Sequence, residues 1–259
     1  MERRKSMERY IPKIIHYSWF GGKEKSKFIQ KCIATWKKKM PDYEIIEWNE
    51  SNFSLEEHTF AKEAYEAKKY AFVSDYVRVY VMYHYGGIYF DTDIEVKQNF
   101  TDKLDGAKFV IAFELSDSLM TGFFAAEKHN LAVKEILDYY DKIHFYEEDG
   151  TMRLTPNPII FARETEKFGL VFNGKYQEIG DRMRIYPNEV FGGYNVYDMI
   201  YTITENTVLV HHYTASWRTI REEIPVKLKK TVLKFFGVEF FRFMRKIKHR
   251  VKGIEDKQV

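Results

Sequence analysis

The first 48 residues constrain the fold most strongly, because they follow the order strand, helix, strand. Residues 12–20 (PKIIHYSWF) are apolar and lie between Pro12 and the Gly21–Gly22 pair, which is typical of a buried strand that ends in a tight loop. A basic, amphipathic stretch over 26–39 predicts a helix, and the sequence YEIIEW over 43–48 predicts a second strand. Two strands joined by a helix at this spacing form a βαβ unit, so we expect an α/β fold with a parallel sheet.

Two more helices and a short strand are expected before residue 91. Ser54 and Glu57 form an S-x-x-E capping-box pair, which predicts a helix running towards Lys69. A second helix is expected over 72–85, and the Gly86–Gly87 pair should end it, as glycine commonly does at a helix C-terminus. The apolar residues that follow, IYF, predict a buried strand.

The rest of the chain is less regular. Strands are expected at 108–113, 122–126 and 208–212, with a helix over 130–146, and the segment that follows Pro156 has no clear periodicity. We divide the chain into a main domain, residues 1–224, and a basic tail, residues 225–259. Apolar and aromatic residues recur every three or four positions in this tail, which predicts an amphipathic C-terminal helix that either lies on an anionic membrane or packs on the main domain.

Asp91 and Asp93 carry the clearest chemical signal, because they directly follow the predicted buried strand. Two like charges at this spacing repel each other unless a cation compensates them. Divalent Mn²⁺ or Mg²⁺ prefers carboxylate and phosphate oxygens. In α/β sheets ligands bind at the carboxyl ends of strands, so the D-x-D pair predicts a metal site there that can receive a diphosphate.

The helix before this pair adds two charged residues. Asp75 and Arg78 are three positions apart, so they share one helix face within an otherwise apolar and aromatic segment. They either form an intrahelical salt bridge or turn into a pocket, where Arg78 would bind phosphate and Asp75 would accept hydrogen bonds from sugar hydroxyls.

Three segments together resemble a known enzyme family. IPKIIHYSWFGG, AFVSDYVRVYVMYHYGGIYFDTD and HHYTASW are similar to the DXD-motif sugar transferases of glycosyltransferase family 32, which is related to initiation-specific mannosyltransferase and to the glucosylating domain of clostridial toxins. The resemblance is strongest over residues 10–97 and returns at 211–217. It implies a GT-A type fold, with a Rossmann-like mixed sheet flanked by helices, a nucleotide-sugar donor, Mn²⁺ or Mg²⁺, and retention of anomeric configuration.

The resemblance also implies which residues would bind the donor. Trp19 would stack on the base, and Tyr89 would lie beside the ribose. Asp75 and Arg78 would bind the donor sugar and phosphate, and Asn157 would offer its amide to the donor sugar.

A second group would hold the metal and act near the reacting bond. Asp91 would contact the ribose and, through water, the metal, and Asp93 would be a direct ligand. His212 occupies the place of an acidic ligand in the toxin relatives, so we expect it to ligate the metal while His211 points to the opposite face. Trp217 would cover the diphosphate.

Composition limits the setting of this chemistry. The net charge of +3 does not suggest a polyanion binder, and the single cysteine, Cys32, excludes an internal disulfide. We see no signal peptide and no apolar run long enough to span a bilayer, so we expect a cytoplasmic protein that can touch the inner face of the cell membrane through residues 225–252.

These observations predict a retaining, metal-dependent hexosyltransferase with a nucleotide-sugar donor, UDP-linked in the first instance, although GDP-mannose stays open. The expected acceptor is a glycan, free or lipid-linked, of bacterial capsule, exopolysaccharide or lipooligosaccharide, and no nucleic-acid partner is expected. Two alternatives remain at this point: a metal-dependent phosphatase of the haloacid-dehalogenase type, and a non-catalytic carbohydrate-binding protein on the same fold.

Overall fold

A computed structural model describes residues 9–214 as a mixed sheet with helices on both faces. The helices are α1 (Lys27–Lys39), α2 (Thr59–Glu66), α3 (Tyr70–Tyr85), α4 (Thr101–Leu104), α5 (Leu131–Asp141) and α6 (Asn157–Glu166). The strands are β1 (Ile14–Ser18), β2 (Glu44–Trp48), β3 (Gly87–Phe90), β4 (Ile94–Val96), β5 (Phe109–Leu115), β6 (Ser118–Ala126), β7 (Gln177–Ile179), β8 (Met183–Tyr186), β9 (Phe191–Gly192), β10 (Tyr194–Asn195), β11 (Ile200–Tyr201) and β12 (Leu209–His211).

The main sheet has seven strands in the order β2-β1-β3-β6-β5-β8-β7. β1 pairs in parallel with both β2 and β3, which confirms the predicted βαβ unit. β6 is antiparallel to both β3 and β5, so the sheet is mixed. Three short strands form a second sheet in the order β4-β12-β9. The predicted α/β class, with a mixed sheet flanked by helices, is confirmed.

β3 lies at the centre of the main sheet and all four of its residues are buried. Its side chains alternate between two apolar clusters, as a strand requires: Ile88 and Phe90 face one cluster, and Tyr89 faces the other. The first cluster is covered by α1 and the small sheet, and the second by the remaining long helices. Because both faces of β3 are packed against apolar clusters, the C-terminal end of this strand holds the residues that follow it in a defined position.

Most predicted elements are present, but the predicted helix from Ser54 to Lys69 is wrong in its first turn. Residues 55–57 form a short 3-10 turn, and α2 begins only at Thr59. The side chain of Ser54 makes no capping hydrogen bond. The backbone at His58 is extended (φ −133°), so the 3-10 turn does not continue into α2.

The helix predicted over 130–146 ends early, at Asp141. Its aromatic periodicity continues beyond that residue, but the backbone N–H of Phe145 donates to a carboxylate oxygen of Glu63 (2.7 Å) instead of continuing the helix. Phe145 then packs against Phe60 with ring centroids 5.6 Å apart. The segment after Pro156, which had no readable pattern, contains α6.

Within the described range, no helix combines the length and the apolar character that a bilayer crossing needs. The predicted amphipathic tail over 225–252, the domain boundary at residue 224 and the predicted site residue Trp217 lie outside the described residues.

Candidate active site

The site is built where β3 leaves the main sheet. The backbone N–H of Asp91 donates to the carbonyl of Gly122 on the neighbouring strand β6 (2.8 Å), and the N–H of Ile94 donates back to the carbonyl of Asp91 (3.0 Å). The chain thus turns tightly over residues 91–94 and enters β4. β12 pairs with β4 so that His211 is opposite Ile94, which brings the end of β12 beside Asp93.

Asp91, Asp93 and His211 form a compact cluster. One ligand atom from each lies within 4.8 Å of the others. Nε2 of His211 is 3.2 Å from a carboxylate oxygen of Asp93 and 3.9 Å from one of Asp91. The other ring nitrogen, Nδ1, is buried and has no hydrogen-bond partner within residues 9–214. Two carboxylates and an imidazole with an unused nitrogen are a donor set that fits a divalent cation such as Mn²⁺.

The charges of this cluster are coupled. Burial raises the pKa of Asp93, but the imidazole of His211 and two hydrogen bonds from Thr214 outweigh burial, so the pKa lies well below its ordinary value. The Thr214 backbone N–H and hydroxyl donate to the same oxygen, at 2.7 and 2.9 Å. Burial lowers the pKa of His211, but the charge of Asp93 raises it by more. Asp93 is therefore held as a carboxylate that attracts a cation.

Arg78 joins the helix α3 to this cluster. Its guanidinium lies 2.9 Å from Asp75, three residues earlier, and 3.3 Å from Asp91. It also donates to the carbonyl of Thr121 (2.8 Å) and lies over the ring of Tyr89, 4.9 Å from the centroid. The sequence left open whether Asp75 and Arg78 form a salt bridge or face a site; they do form the salt bridge, and Arg78 also reaches the D-x-D pair.

Asn157 lies beside the same ion pair. Its amide nitrogen donates to the carboxylate of Asp75 (3.1 Å), and its amide oxygen accepts from the hydroxyl of Tyr140 (3.3 Å). Asn157 and Tyr140 are buried, and both polar atoms of the Asn157 amide have partners, so the expected contact of this amide with a donor sugar needs correction. The predicted donor-sugar residues Asp75 and Asn157 are thus in direct contact, although α6 itself was not predicted.

Trp19 directly follows β1, at the carboxyl edge of the sheet, and is half-buried. The ammonium group of Lys25 lies 5.4 Å from the centre of its ring. The expectation that Tyr89 contacts a ribose needs correction, because its side chain is only 1% exposed. Its hydroxyl instead hydrogen-bonds to that of Ser18 (2.9 Å), so Tyr89 supports Arg78 from beneath.

The predicted metal ligand His212 also needs correction. Alternation along β12 turns His212 away from the cluster and His211 towards it, the reverse of the expected orientation. Nδ1 of His212 is 2.8 Å from the hydroxyl of Tyr201, and Nε2 is 3.1 Å from Glu95. With both ring nitrogens occupied, His212 is not available as a ligand.

Gly122 was not predicted as a site residue, because its position in the site depends on pairing between β3 and β6. A Cβ atom at this position would lie 2.7 Å from Cε1 of His211 and 2.8 Å from a carboxylate oxygen of Asp91. Only a residue without a side chain leaves the cluster intact. The signal was the glycine within an otherwise apolar strand, which often marks a close approach of other groups.

Comparison with known protein families finds a match in the same segment of the chain. Residues 26–110 match the family model described as "Glycosyltransferase sugar-binding region containing DXD motif". This match includes Asp75, Arg78, Asp91 and Asp93, and it confirms over that segment the resemblance identified in the sequence.

Two curated relatives come from Schizosaccharomyces pombe. Inositol phosphoceramide mannosyltransferase 3 is 32% identical over 91 residues, which cover 32% of this chain and 24% of the relative. Inositol phosphoceramide mannosyltransferase 1 is 23% identical over 171 residues, which cover 61% of this chain and 52% of the relative. The chain thus spans between a quarter and about half of the length of these relatives.

Among solved structures, the PaToxG glycosyltransferase is similar with a TM-score of 0.47 and 20% identity, over 61% of this chain and 69% of that one.

Proposed function

We propose, from the DXD sugar-binding region of glycosyltransferases that residues 26–110 carry, that this chain transfers a hexose from a nucleotide-sugar donor to an acceptor glycan. The observation that carries the proposal is the cluster of Asp91, Asp93 and His211 at the end of β3, with the guanidinium of Arg78 3.3 Å from Asp91. The cluster offers ligands for a cation, and Arg78 adds a fixed positive charge beside it. A diphosphate, which is strongly anionic, would be bound by both the cation and the guanidinium.

Asp91, Asp93 and His211 would hold Mn²⁺ or Mg²⁺. When bound, such an ion supplies charge neutralisation for the diphosphate of the donor. The tight pair of hydrogen bonds from Thr214 fixes the Asp93 carboxylate in one orientation, and the close backbone of Gly122 leaves room for all three side chains. The protein therefore presents a preformed site that does not have to reorganise when the donor arrives.

Arg78 would stabilise the negative charge of the departing nucleotide, because its guanidinium is held in place by Asp75 and by the carbonyl of Thr121. Asp75 would bind a hydroxyl group of the donor sugar, and the buried Asn157 would hold the Asp75 carboxylate in place. Trp19, half-buried at the same edge of the sheet, would stack on the base, and Trp217 would cover the diphosphate.

The reaction that fits these positions breaks the bond between the anomeric carbon and the phosphate oxygen and forms a bond from that carbon to the acceptor oxygen. The proton of the acceptor hydroxyl passes to the departing phosphate. Retention of configuration, which the family resemblance implies, requires the acceptor to attack from the face that the phosphate leaves.

UDP-galactose and UDP-glucose are our first proposed donors. Two relatives are named mannosyltransferases, which supports including GDP-mannose in the same comparison. Those names also say that the relatives act on inositol phosphoceramide, which supports keeping a lipid-linked glycan among the acceptors. We retain bacterial surface polysaccharide as the setting and the cytoplasmic side of the membrane as the location.

A thermal-shift panel tests the proposal. The intact chain is heated with UDP-galactose, UDP-glucose or GDP-mannose, each with Mn²⁺ and with a chelator. A true donor should raise the unfolding temperature only when Mn²⁺ is present, because a ligand that binds the folded state alone stabilises it. No Mn²⁺-dependent shift with any of the three would contradict the proposal.

A further inference from the structure

An open surface cavity with a volume of about 290 Å³ lies between the turn that joins β5 to β6 and the outer face of α6. Three of its seven lining residues are apolar, and four are polar or charged. Pro158, Ile159 and Ala162 line it from the helix, and Asp117 and Ser118 line it from the turn. Ligand pockets are roughly 300–1,000 Å³, so this cavity can hold a small ligand but not a whole nucleotide sugar.

Both walls of this cavity continue directly into the active site. α6 begins with Asn157, whose amide bonds to Asp75, and Pro158 and Ile159 follow it immediately. β6 begins with Ser118 and runs to Gly122, the residue against Asp91 and His211. Four strand residues span about 13 Å, a distance that a short oligosaccharide can bridge.

The charges at the rim disfavour an anionic occupant. Asp117 and Glu166 both line the cavity, and within residues 9–214 neither carboxylate forms an ion pair. The one cation of the lining, Arg163, is already paired with Glu164 (2.8 Å) and lies 4.4 Å from the ring centre of Tyr139. A phosphate group would therefore meet two unpaired carboxylates without a free positive partner.

A sugar ring matches this arrangement. Its C–H face can pack on the exposed side chain of Ile159, which is 59% accessible, and its hydroxyls can donate to the carboxylates at the rim. We propose that this cavity is a subsite for a neutral sugar unit of the acceptor glycan, one that lies beyond the residue being glycosylated. The assignment rests on the proposed transferase function.

Saturation-transfer NMR tests the subsite on the intact chain, with lactose, maltose and an α-linked mannobiose as the probes. At least one of these neutral disaccharides should bind to the wild-type protein. Ile159→Arg should weaken that binding at least fivefold, because a long charged side chain fills the apolar floor. Inorganic phosphate should not displace the disaccharide, since the rim repels anions.

The matched control is Leu131→Arg. Leu131 is also an exposed apolar residue in the first turn of a helix, with 71% accessibility, and it lies outside the cavity lining. This variant should bind the disaccharide as the wild type does, and both variants should keep the wild-type unfolding temperature. Wild-type binding by Ile159→Arg, displacement by phosphate, or no binding of any probe to the wild type would each overturn the subsite.

Hydrolysis of the nucleotide sugar distinguishes failure of the acceptor subsite from failure of the proposed transferase function. Hydrolysis of a nucleotide sugar by the wild type in the absence of any acceptor depends on the active site alone. If hydrolysis occurs and no disaccharide binds, the subsite assignment fails and the transferase function stands. If the disaccharides bind at Ile159 and no nucleotide sugar is bound or hydrolysed, the cavity is a sugar site and the transferase function fails.

Discussion

Nε2 of His211 lies 3.2 Å from a carboxylate oxygen of Asp93, although His211 ends β12 and Asp93 lies in the turn before β4, far away in the chain. The contact exists because β12 pairs with β4 immediately after the D-x-D turn. It makes His211, and not its neighbour His212, the third member of the proposed cation site.

The two histidines give a matched pair of variants. His211→Gln should weaken Mn²⁺ binding at least tenfold, because it removes one of three ligand side chains. His212→Gln should leave Mn²⁺ affinity within about twofold, since the ring nitrogens of His212 bond to Tyr201 and Glu95 and not to the cluster. Titration of Mn²⁺ followed by electron paramagnetic resonance measures both, and a larger loss in His212→Gln would return the ligand role to that residue.

Gly122 should be intolerant of a side chain. In Gly122→Ala the new methyl group would lie 2.7 Å from Cε1 of His211, so we expect Mn²⁺ affinity to fall at least tenfold. Gly192→Ala is the control, because the nearest atoms to its methyl group belong to Asn188, at 2.5 Å, and not to Asp91, Asp93 or His211. Both should lower the unfolding temperature. Equal Mn²⁺ affinities in the two variants would show that the close approach at Gly122 does not matter.

Asp75 should make stability depend on pH. Burial raises the pKa of its carboxyl group from 3.8 to about 6, although Arg78 acts in the opposite direction. The folded state therefore holds this proton more tightly than the unfolded chain does, and the resulting stabilisation is present below about pH 4 and is lost as the pH rises past about 6.

Asp75→Asn removes this titration. In chelator, the free energy of unfolding of the wild type should fall relative to that of Asp75→Asn between pH 4 and pH 7, by up to about 3 kcal/mol. Urea unfolding at a series of pH values measures the difference. A difference that stays constant with pH would show that Asp75 does not titrate in this range.

Tyr140 should act by orienting Asn157. Tyr140→Phe removes only the hydroxyl that donates to the amide oxygen of Asn157, at 3.3 Å, and the loss of one such bond costs about 1 kcal/mol of stability. Without the Tyr140 hydroxyl, the amide of Asn157 can rotate away from Asp75. We therefore expect the rate of nucleotide-sugar hydrolysis to fall three- to tenfold. Tyr139→Phe, the neighbouring tyrosine, is the control. Equal rates in both variants would leave Tyr140 with a packing role only.

Local patterns in the sequence predicted much of the architecture. The apolar strands β1 and β3, the amphipathic helix α1 and the glycine-terminated helix α3 all depend on residues close together in the chain, and each lies where it was expected. The same holds for the placement of Asp91 and Asp93 directly after β3. These features follow from periodicity and from glycine at a helix end, which a sequence shows directly.

Contacts between distant segments could not be predicted in this way. The register of β12 against β4 decides which histidine faces Asp93, and a shift by one residue reverses the result. Likewise, Gly122 belongs to the site only because β6 pairs with β3, and Tyr89 is buried because Arg78 lies above it. α6 was missed because Pro158 lies in its first turn, where proline is tolerated but resembles a helix breaker in the sequence.

The most direct test of the proposed metal-dependent sugar transfer is the release of free hexose from a nucleotide sugar, measured for the wild type and for Asp93→Asn. Asp42→Asn, an exposed aspartate paired with Lys13 at 3.0 Å, is the control for the loss of a surface charge. With UDP-galactose, UDP-glucose or GDP-mannose, the wild type and Asp42→Asn should release hexose in Mn²⁺ and not in chelator, and Asp93→Asn should be at least 100-fold slower. An undiminished rate of hexose release by Asp93→Asn, or by the wild type in chelator, would contradict the proposed role of Asp93 and the metal in sugar transfer.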